Sequence, residues 1–203
     1  MPCITKVADF FTTAEIIDHY KSQMLSGIDF TTPTIYHAPE FFLRVIDVQH
    51  KFLNEIGLSQ SEVFTNFNLA PLSVRRDISM LGLLHRVVLG EAPSQFKDYI
   101  FPVRPRDYPR GWAYVFNRHN RQLHDLLTHS SLKIMHRSIF RLIHPYNVLP
   151  QVVVNLKTVK SFQKQLHAVM KKCANEGIPN WEIFLHRGIH LRGVTFFRKL
   201  FCN

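Results

Sequence analysis

Residues 68–86 read NLAPLSVRRDISMLGLLHR, and this stretch decides the fold. Pro71 suits the first turn of a helix and Gly90 suits the position past its end, so we predict one helix over residues 71–89. Apolar side chains recur along it at steps of three and four, which is the spacing of a buried helix face. The predicted core face consists of Val74, Ile78, Leu81, Leu84 and Val88.

The same helix carries three arginines that we predict to lie away from its core face: Arg75, Arg76 and Arg86. Ser79 and Gly82 lie beside them and are small enough to let another backbone approach closely. Two interpretations are open. Either the arginines pair with carboxylates such as Asp47 or Glu62, or Arg75 and Arg76 contact the phosphates of a nucleic acid.

Three further helices are predicted ahead of this one. The first runs over residues 13–26 and ends at a glycine, and a proline-bearing connector over residues 31–34 leads to a second over residues 39–56. A third begins after Ser59, because Glu62 follows at the spacing of a capping box.

The prolines of residues 101–112 predict a connector that neither a helix nor a central strand tolerates. It separates a helical N-terminal region, residues 1–100, from a basic C-terminal region, residues 113–203. In the latter we predict a helix over residues 118–127 and a strand over residues 131–143. The predicted fold class is therefore mainly α, a helical bundle with a small β element in the C-terminal half.

Bulk composition predicts a folded, soluble, intracellular protein. The chain has 203 residues, of which 46% are hydrophobic, but no apolar run of about 18 residues that could cross a membrane. Its N-terminus lacks the pattern of a secretory signal, and we expect no membrane partner. Cys3, Cys173 and Cys202 are an odd number without paired spacing, so free thiols are expected.

Positive charge is concentrated in the second half of the chain. Residues 111–203 contain 14 Lys and Arg against 3 Asp and Glu, while the whole chain has a net charge of +10. The clearest amphipathic helix lies there, with Thr158 as its cap. A basic stripe is predicted opposite its apolar side: Lys157, Lys160, Lys164, His167 and Lys171. With Arg137 and Arg141 upstream, these lysines are candidate contacts to RNA or DNA, or simply a solvated surface.

Motifs that support catalysis are not found in the sequence. No two aspartates are adjacent, as a two-metal site favours, and no glycine-rich phosphate loop or Gly-x-Ser-x-Gly motif occurs. His186 and His190 have the four-residue spacing of helical zinc ligands, with Glu182 one turn earlier, but nothing nearby completes the set. We expect no cofactor, no metal and no enzymatic activity.

From about His19 to Cys173 the chain resembles the region downstream of the catalytic palm in reverse transcriptase polyproteins of non-LTR (LINE-like) retrotransposons. Three ordered blocks carry the resemblance. The first holds Tyr20, Lys21, Ser22, Met24, Leu25, Ser26, residues 34–38, Val48, Gln49, Phe52 and Leu53. The second holds Phe67, Leu69, Pro71, Arg75, Arg76, Asp77, Ile78, Met80, Leu81, Gly82, His85 and Arg86. The third holds residues 146–150, residues 158–163 and Leu166, with Tyr146 in place of the usual tryptophan and Gln163 in place of the usual lysine.

The resemblance implies a non-catalytic C-terminal segment, because the aromatic-Ala-Asp-Asp turn and the endonuclease of that family have no counterpart here. Together with the excess of Lys and Arg after Gly111, it predicts that the segment contacts template RNA or target DNA. Two alternatives are open: a helical module that docks other domains of a polyprotein, and a remnant of a retroelement without function.

Overall fold

The computed structural model describes residues 10–39, 42–43, 47–103, 119–127 and 135–185. Within these ranges the chain is mainly helical, as predicted. The elements are α1 Thr13–Tyr20, a π-helical turn Lys21–Leu25, α2 Ser26–Ile35, α3 Val48–Glu55, α4 Gln60–Phe67, α5 Leu72–Leu89, α6 Ile143–Val148, α7 Gln151–Val154 and α8 Val159–Asn175. Short 3-10 turns cover Ser94–Asp98, Met135–Arg137, Ile139–Leu142 and Trp181–Ile183.

Helix α5 is the centre of the fold. It begins after Pro71 and ends at Gly90, whose positive φ of 79° suits glycine, so both predicted ends are confirmed. Eleven of its 18 residues are buried, which is far more than one face. Four of the five predicted core residues are buried, and Val88 is half-buried. Burial on several sides also encloses Arg76, so the prediction that this arginine lies away from the core is wrong.

Two hydrophobic clusters flank α5. The larger joins α5 to α6 and α8 and includes residues from both sides of the predicted connector, such as Leu81, Ile100, Leu123 and Leu166. The smaller one gathers buried residues of α1, α3 and α4 with Leu69 and Leu72, and its centre is the stacked ring pair of Tyr20 and Phe52, with centroids 4.3 Å apart.

Helices α1 and α2 form one continuous rod, whereas the sequence predicted a stop at Gly27 and a connector over residues 31–34. The chain passes through a π-helical turn instead and stays helical past Pro33. Tyr20 and Leu25, five residues apart, are both buried. An α-helix would place these two side chains about 140° apart, and the wider π turn brings them onto one side.

The two helices that follow differ in how well their starts were predicted. Helix α3 begins at Val48 rather than at residue 39, because Asp47 is non-helical (φ −74°, ψ 81°) and its side chain accepts a hydrogen bond from the His50 N–H. Helix α4 begins as predicted, with Ser59 and Glu62 forming both bonds of a capping box.

The C-terminal half contains less regular structure than predicted. Residues 119–127 form turns rather than a helix, and the described part of the predicted strand, residues 135–143, is a pair of 3-10 turns leading into α6. Among the described residues, β pairing is limited to one isolated antiparallel bridge between Pro102 and Leu123. No helix in the described parts of the chain is long and apolar enough to cross a membrane.

Helix α8 matches its prediction. The Thr158 side chain accepts a hydrogen bond from the Ser161 N–H, and the buried stripe consists of Phe162, Leu166, Val169, Met170, Cys173 and Ala174. It packs against α5 at Gly82, where a Cβ atom would overlap Gln163 Nε2 and lie 2.9 Å from its Cδ. A close neighbour does lie at Gly82, but it is the side chain of Gln163 rather than the backbone that the sequence predicted.

We expect Gly82→Ala to behave differently with and without Gln163. In the natural background the added methyl group must displace Gln163, so we expect the free energy of unfolding to fall. With Gln163→Ala the space is free, and the gain in helix propensity should stabilise the protein by up to about 1 kcal/mol. Urea unfolding of the four-member mutant cycle measures this coupling, and equal effects of Gly82→Ala in both backgrounds would contradict the contact.

Candidate nucleic-acid interface

Three of the predicted lysines form an exposed group at the start of α8. Lys157 precedes the cap residue, and Lys160 and Lys164 lie one turn apart on the helix. All three are exposed, and none forms an ion pair with a carboxylate of the described residues. We call Lys157, Lys160 and Lys164 the basic face.

The N-terminus of α8 adds to this positive charge. Helix N-termini carry a partial positive charge and usually favour acidic side chains in the first turn, yet α8 has none there. Instead Lys157 and Lys160 flank the cap. This arrangement is unfavourable for the isolated helix, and it makes the surface attractive to a polyanion.

The predicted stripe becomes less exposed towards the C-terminal end of the helix. His167 is half-buried, with its ring edge on Phe64 at a centroid distance of 5.0 Å, and burial lowers the pKa of His167. Lys171 is also half-buried, and its Nζ donates to Asn68 Oδ1 at 3.3 Å. Lys171 therefore stays at the edge of the basic face.

Two of the four predicted arginines, Arg75 and Arg141, form ion pairs within the fold, and a third, Arg76, is buried. Arg75 forms an ion pair with Asp29 of α2, and Arg137 is half-buried in a 3-10 turn. Arg76 is only 6% exposed. The interpretation that these arginines pair with carboxylates is therefore right for Arg75, but the partner is Asp29 rather than Asp47 or Glu62.

Arg141 is part of a buried polar cluster with Tyr36 and Asp77. Asp77 Oδ1 accepts hydrogen bonds from the Tyr36 hydroxyl at 2.7 Å and from Arg141 Nη2 at 3.3 Å. Arg141 Nε also donates to the Tyr36 oxygen at 3.1 Å, and the guanidinium lies 4.6 Å from the Tyr36 ring centroid. Burial and the Asp77 charge raise the pKa of Tyr36, so the phenol stays a donor. This cluster joins α5 to the segments before and after it and leaves Arg141 committed within the fold.

A second buried polar cluster, centred on His85, was not predicted. His85 is fully buried, with Nε2 2.9 Å from the Leu156 carbonyl oxygen and Nδ1 3.1 Å from the Tyr146 hydroxyl. Because a carbonyl only accepts, Nε2 carries the proton and Nδ1 accepts from Tyr146. The imidazole also stacks on Phe162, with centroids 4.2 Å apart. The signal that could have identified His85 as buried is its position directly after Leu84, on a helix that is buried on more than one side.

Burial lowers the pKa of His85, and the nearby positive charge of Arg121 acts in the same direction, while the Leu156 carbonyl opposes it. The neutral form fits the two hydrogen bonds, since a protonated ring would turn Nδ1 into a donor facing a hydroxyl. The cluster is thus a structural element that requires a neutral imidazole.

Metal binding and thiol chemistry find little basis in the described residues. No group of three or more His, Cys, Asp or Glu side chains there is arranged to hold a metal ion. His186 and His190 lie outside the described residues, as do Cys3 and Cys202. Cys173 is a free, buried thiol, and burial raises its pKa to about 11, so the reactive thiolate is disfavoured.

No protein-family model, curated protein or solved structure matches the chain. The residues of the three sequence blocks nevertheless have clear places in the fold. Leu69, Leu81, Tyr146, Phe162 and Leu166 are all at most 1% exposed. Packing alone therefore explains why these positions are apolar or aromatic.

We expect Asp77→Ala to be strongly destabilising. The substitution leaves the Arg141 guanidinium without its buried counter-charge, and breaking such a pair from one side costs about 3–5 kcal/mol. Asp98→Ala, at an exposed carboxylate, is the matched control and should change stability by less than about 0.5 kcal/mol. Chemical denaturation measures both, and similar losses in the two variants would contradict the role of the cluster.

Stability should fall below about pH 6.5 in part because of His85. The folded protein holds this imidazole neutral, while the unfolded chain binds a proton there. The stabilisation is therefore present above the unfolded pKa and lost as the pH falls below it. His85→Gln keeps a donor near the Nε2 position and cannot titrate. Denaturation between pH 5 and pH 8 should give a shallower pH dependence for this variant, and identical slopes would exclude His85 as a contributor.

Proposed function

We propose that this chain is a non-catalytic, mainly helical segment that contacts RNA or DNA through the basic face of α8. The observation that carries the proposal is the exposure of Lys157, Lys160 and Lys164 at a helix N-terminus, with no carboxylate of the described residues paired to them. The sequence blocks, which resemble the C-terminal region of non-LTR retrotransposon reverse transcriptases, agree with this function.

The spacing of the basic face suits a phosphate backbone. Lys160 and Lys164 are four residues apart, which is about 6 Å along a helix axis. Phosphates of one duplex strand recur at about 3.4 Å along the axis, so the two lysines span about two nucleotide steps. Ammonium groups contact phosphates as point charges and do not read base edges. The expected binding is therefore sensitive to salt and weakly dependent on sequence.

A protein-interaction module is the second candidate, and exposed aromatic side chains favour it. Phe10, Phe11 and Phe30 are 81%, 53% and 86% exposed, at and beside the α1–α2 rod. Large exposed apolar side chains mark docking surfaces more often when they are grouped. In this case the lysines of α8 would contribute nothing to partner binding.

Filter binding of the full chain to RNA and to duplex DNA, over a range of salt concentrations, tests the proposal. We expect affinity to fall steeply with salt. For Lys160→Gln with Lys164→Gln we expect weaker binding and a salt slope smaller by about 1.8 on duplex DNA, since each lost phosphate contact removes about 0.9.

The control removes two charges elsewhere: Lys97→Gln with Lys172→Gln. Lys97 lies in the Ser94–Asp98 turn, and Lys172 lies within 4.0 Å of Glu176. Equal losses in the two double variants would show that only net charge matters and would contradict a specific face. Binding that is absent at low salt, or unaffected by salt, would overturn the proposed function.

A further inference from the structure

A cavity of about 760 Å³ opens where the first turns of α4 and α5 meet. Its wall includes Ser59 and Ser61 of the α4 start and Ser73 and Arg76 of the α5 start. The basic face of α8 contributes no residue to the described lining. The volume falls within the 300–1,000 Å³ typical of small-molecule sites.

Arg76 is the unusual member of this lining. Its side chain is more than nine-tenths buried, and it forms no hydrogen bond or ion pair with any described residue. The Nε atom is fully enclosed without an acceptor. Arginine remains charged in proteins, and burial lowers the pKa of Arg76, while the charges of Asp47 and Asp77 favour its charged form. Arg76 therefore has carboxylates near it but no hydrogen-bond acceptor among the described residues. Because Nε is enclosed, a bound anion would accept from the terminal Nη groups.

Two helix N-termini at the cavity also favour an anion. In α4 the Ser59 side chain accepts from the Glu62 N–H, which leaves the N–H groups of Gln60 and Ser61 outside the cap. In α5 the N-cap is Pro71, whose side chain makes no capping hydrogen bond. Both N-termini therefore offer backbone donors, and at α4 the Glu62 carboxylate of the capping box already offsets part of the positive end of the helix dipole.

Three carboxylates also line the cavity. Asp77 is held by Tyr36 and Arg141, and Asp47 caps α3 through the His50 N–H. Glu182 is half-buried, and burial raises the pKa of its carboxyl group, while the nearby His50 acts in the opposite direction. Asp47 and Asp77 lie close enough to Arg76 for their charges to act on it, and all three acids can accept hydrogen bonds from donor groups of a ligand. A suitable ligand therefore combines one anionic group with hydrogen-bond donors.

We propose that this cavity binds a phosphate monoester of nucleotide size, with the phosphate on Arg76 and the α4 N-terminus. A phosphate accepts hydrogen bonds from the guanidinium fork and from backbone N–H groups at once. A nucleoside supplies hydroxyl and amino donors for Asp47 and Glu182. The site is independent of the basic face of α8.

Calorimetry and thermal unfolding of the full chain with adenosine monophosphate test this site, with inorganic phosphate and adenosine as separate probes. We expect the monophosphate to bind more tightly than phosphate, and adenosine to give no stabilisation. A 5′-phosphorylated oligonucleotide identifies the source of the phosphate. If the source is a nucleic-acid end, the oligonucleotide should bind at least as tightly as the monophosphate. Weaker binding of the oligonucleotide indicates a free nucleotide. No shift with either phosphate probe would overturn the proposal.

Arg76→Met removes the charge and keeps a long apolar side chain, and the ligand-free protein should keep most of its stability because Arg76 forms no hydrogen bond or close ion pair with a described residue. We expect monophosphate binding to weaken by about tenfold or more, since a hydrogen bond between charged groups contributes that much. Equal binding by Arg76→Met and the natural chain would overturn the proposal.

A second pair of variants covers the case that Arg76→Met fails to fold. Ser61→Glu places a carboxylate at the cavity, where it stabilises the start of α4 and competes with the phosphate, and Ser61→Gln is its uncharged match. Loss of binding in Ser61→Glu alone supports the site, and equal binding in both overturns it. The Lys160→Gln, Lys164→Gln chain should bind the monophosphate normally, so failure of the nucleic-acid proposal would be recognised separately.

Discussion

Helix α5 is buried on more than one side, and this constraint determines where the polar residues of the protein go. A helix with a single buried face can keep its charges in water. Here Arg76, Asp77 and His85 are all enclosed. Each needs a hydrogen-bond or charge partner from another part of the chain, because a buried polar group without one lowers the stability of the fold. Asp77 receives Tyr36 and Arg141, and His85 receives Tyr146 and the Leu156 carbonyl group.

These two polar clusters join segments that are distant in the sequence. Tyr36 and Arg141 are 105 residues apart, and His85 and Leu156 are 71 apart. Each cluster combines the first half of the chain with the basic second half. Within the described residues after 110, part of the positive charge therefore lies in the interior, as at Arg141, while Lys157, Lys160 and Lys164 are exposed at the start of α8.

Local signals predicted the parts of the fold that local physics determines. The Ser59–Glu62 capping box, the Thr158 cap, and the Pro71 and Gly90 limits of α5 depend on hydrogen bonds within a few residues. Gly27 and Pro33 were read as helix-breaking, but packing against α3 and α5 keeps the rod helical. The strand predicted over residues 131–143 failed in its described part because β-compatible residues there serve the interior of a helical fold.

The candidate site shows the same division. The exposure of Lys160 and Lys164 follows from helical periodicity and was predicted. Arg75 and Arg141 find partners 46 and 105 residues away, and these contacts could not be predicted from spacing. The burial of Arg76 depends likewise on how other segments pack against α5. The cavity near Arg76 is likewise formed by three helix starts that only the folded chain brings together.

The π-helical turn at Lys21–Leu25 makes the α1–α2 rod sensitive to chain length. A single residue more or less at this point would rotate α2 by about 100° about its axis relative to α1. Asp29 would then move round the rod and away from Arg75, and Tyr36 would leave Asp77. The rotation of α2 relative to α1 therefore determines whether the packing around Tyr20 and the polar cluster of Tyr36, Asp77 and Arg141 can form together. The extra residue of the π-helical turn sets this rotation.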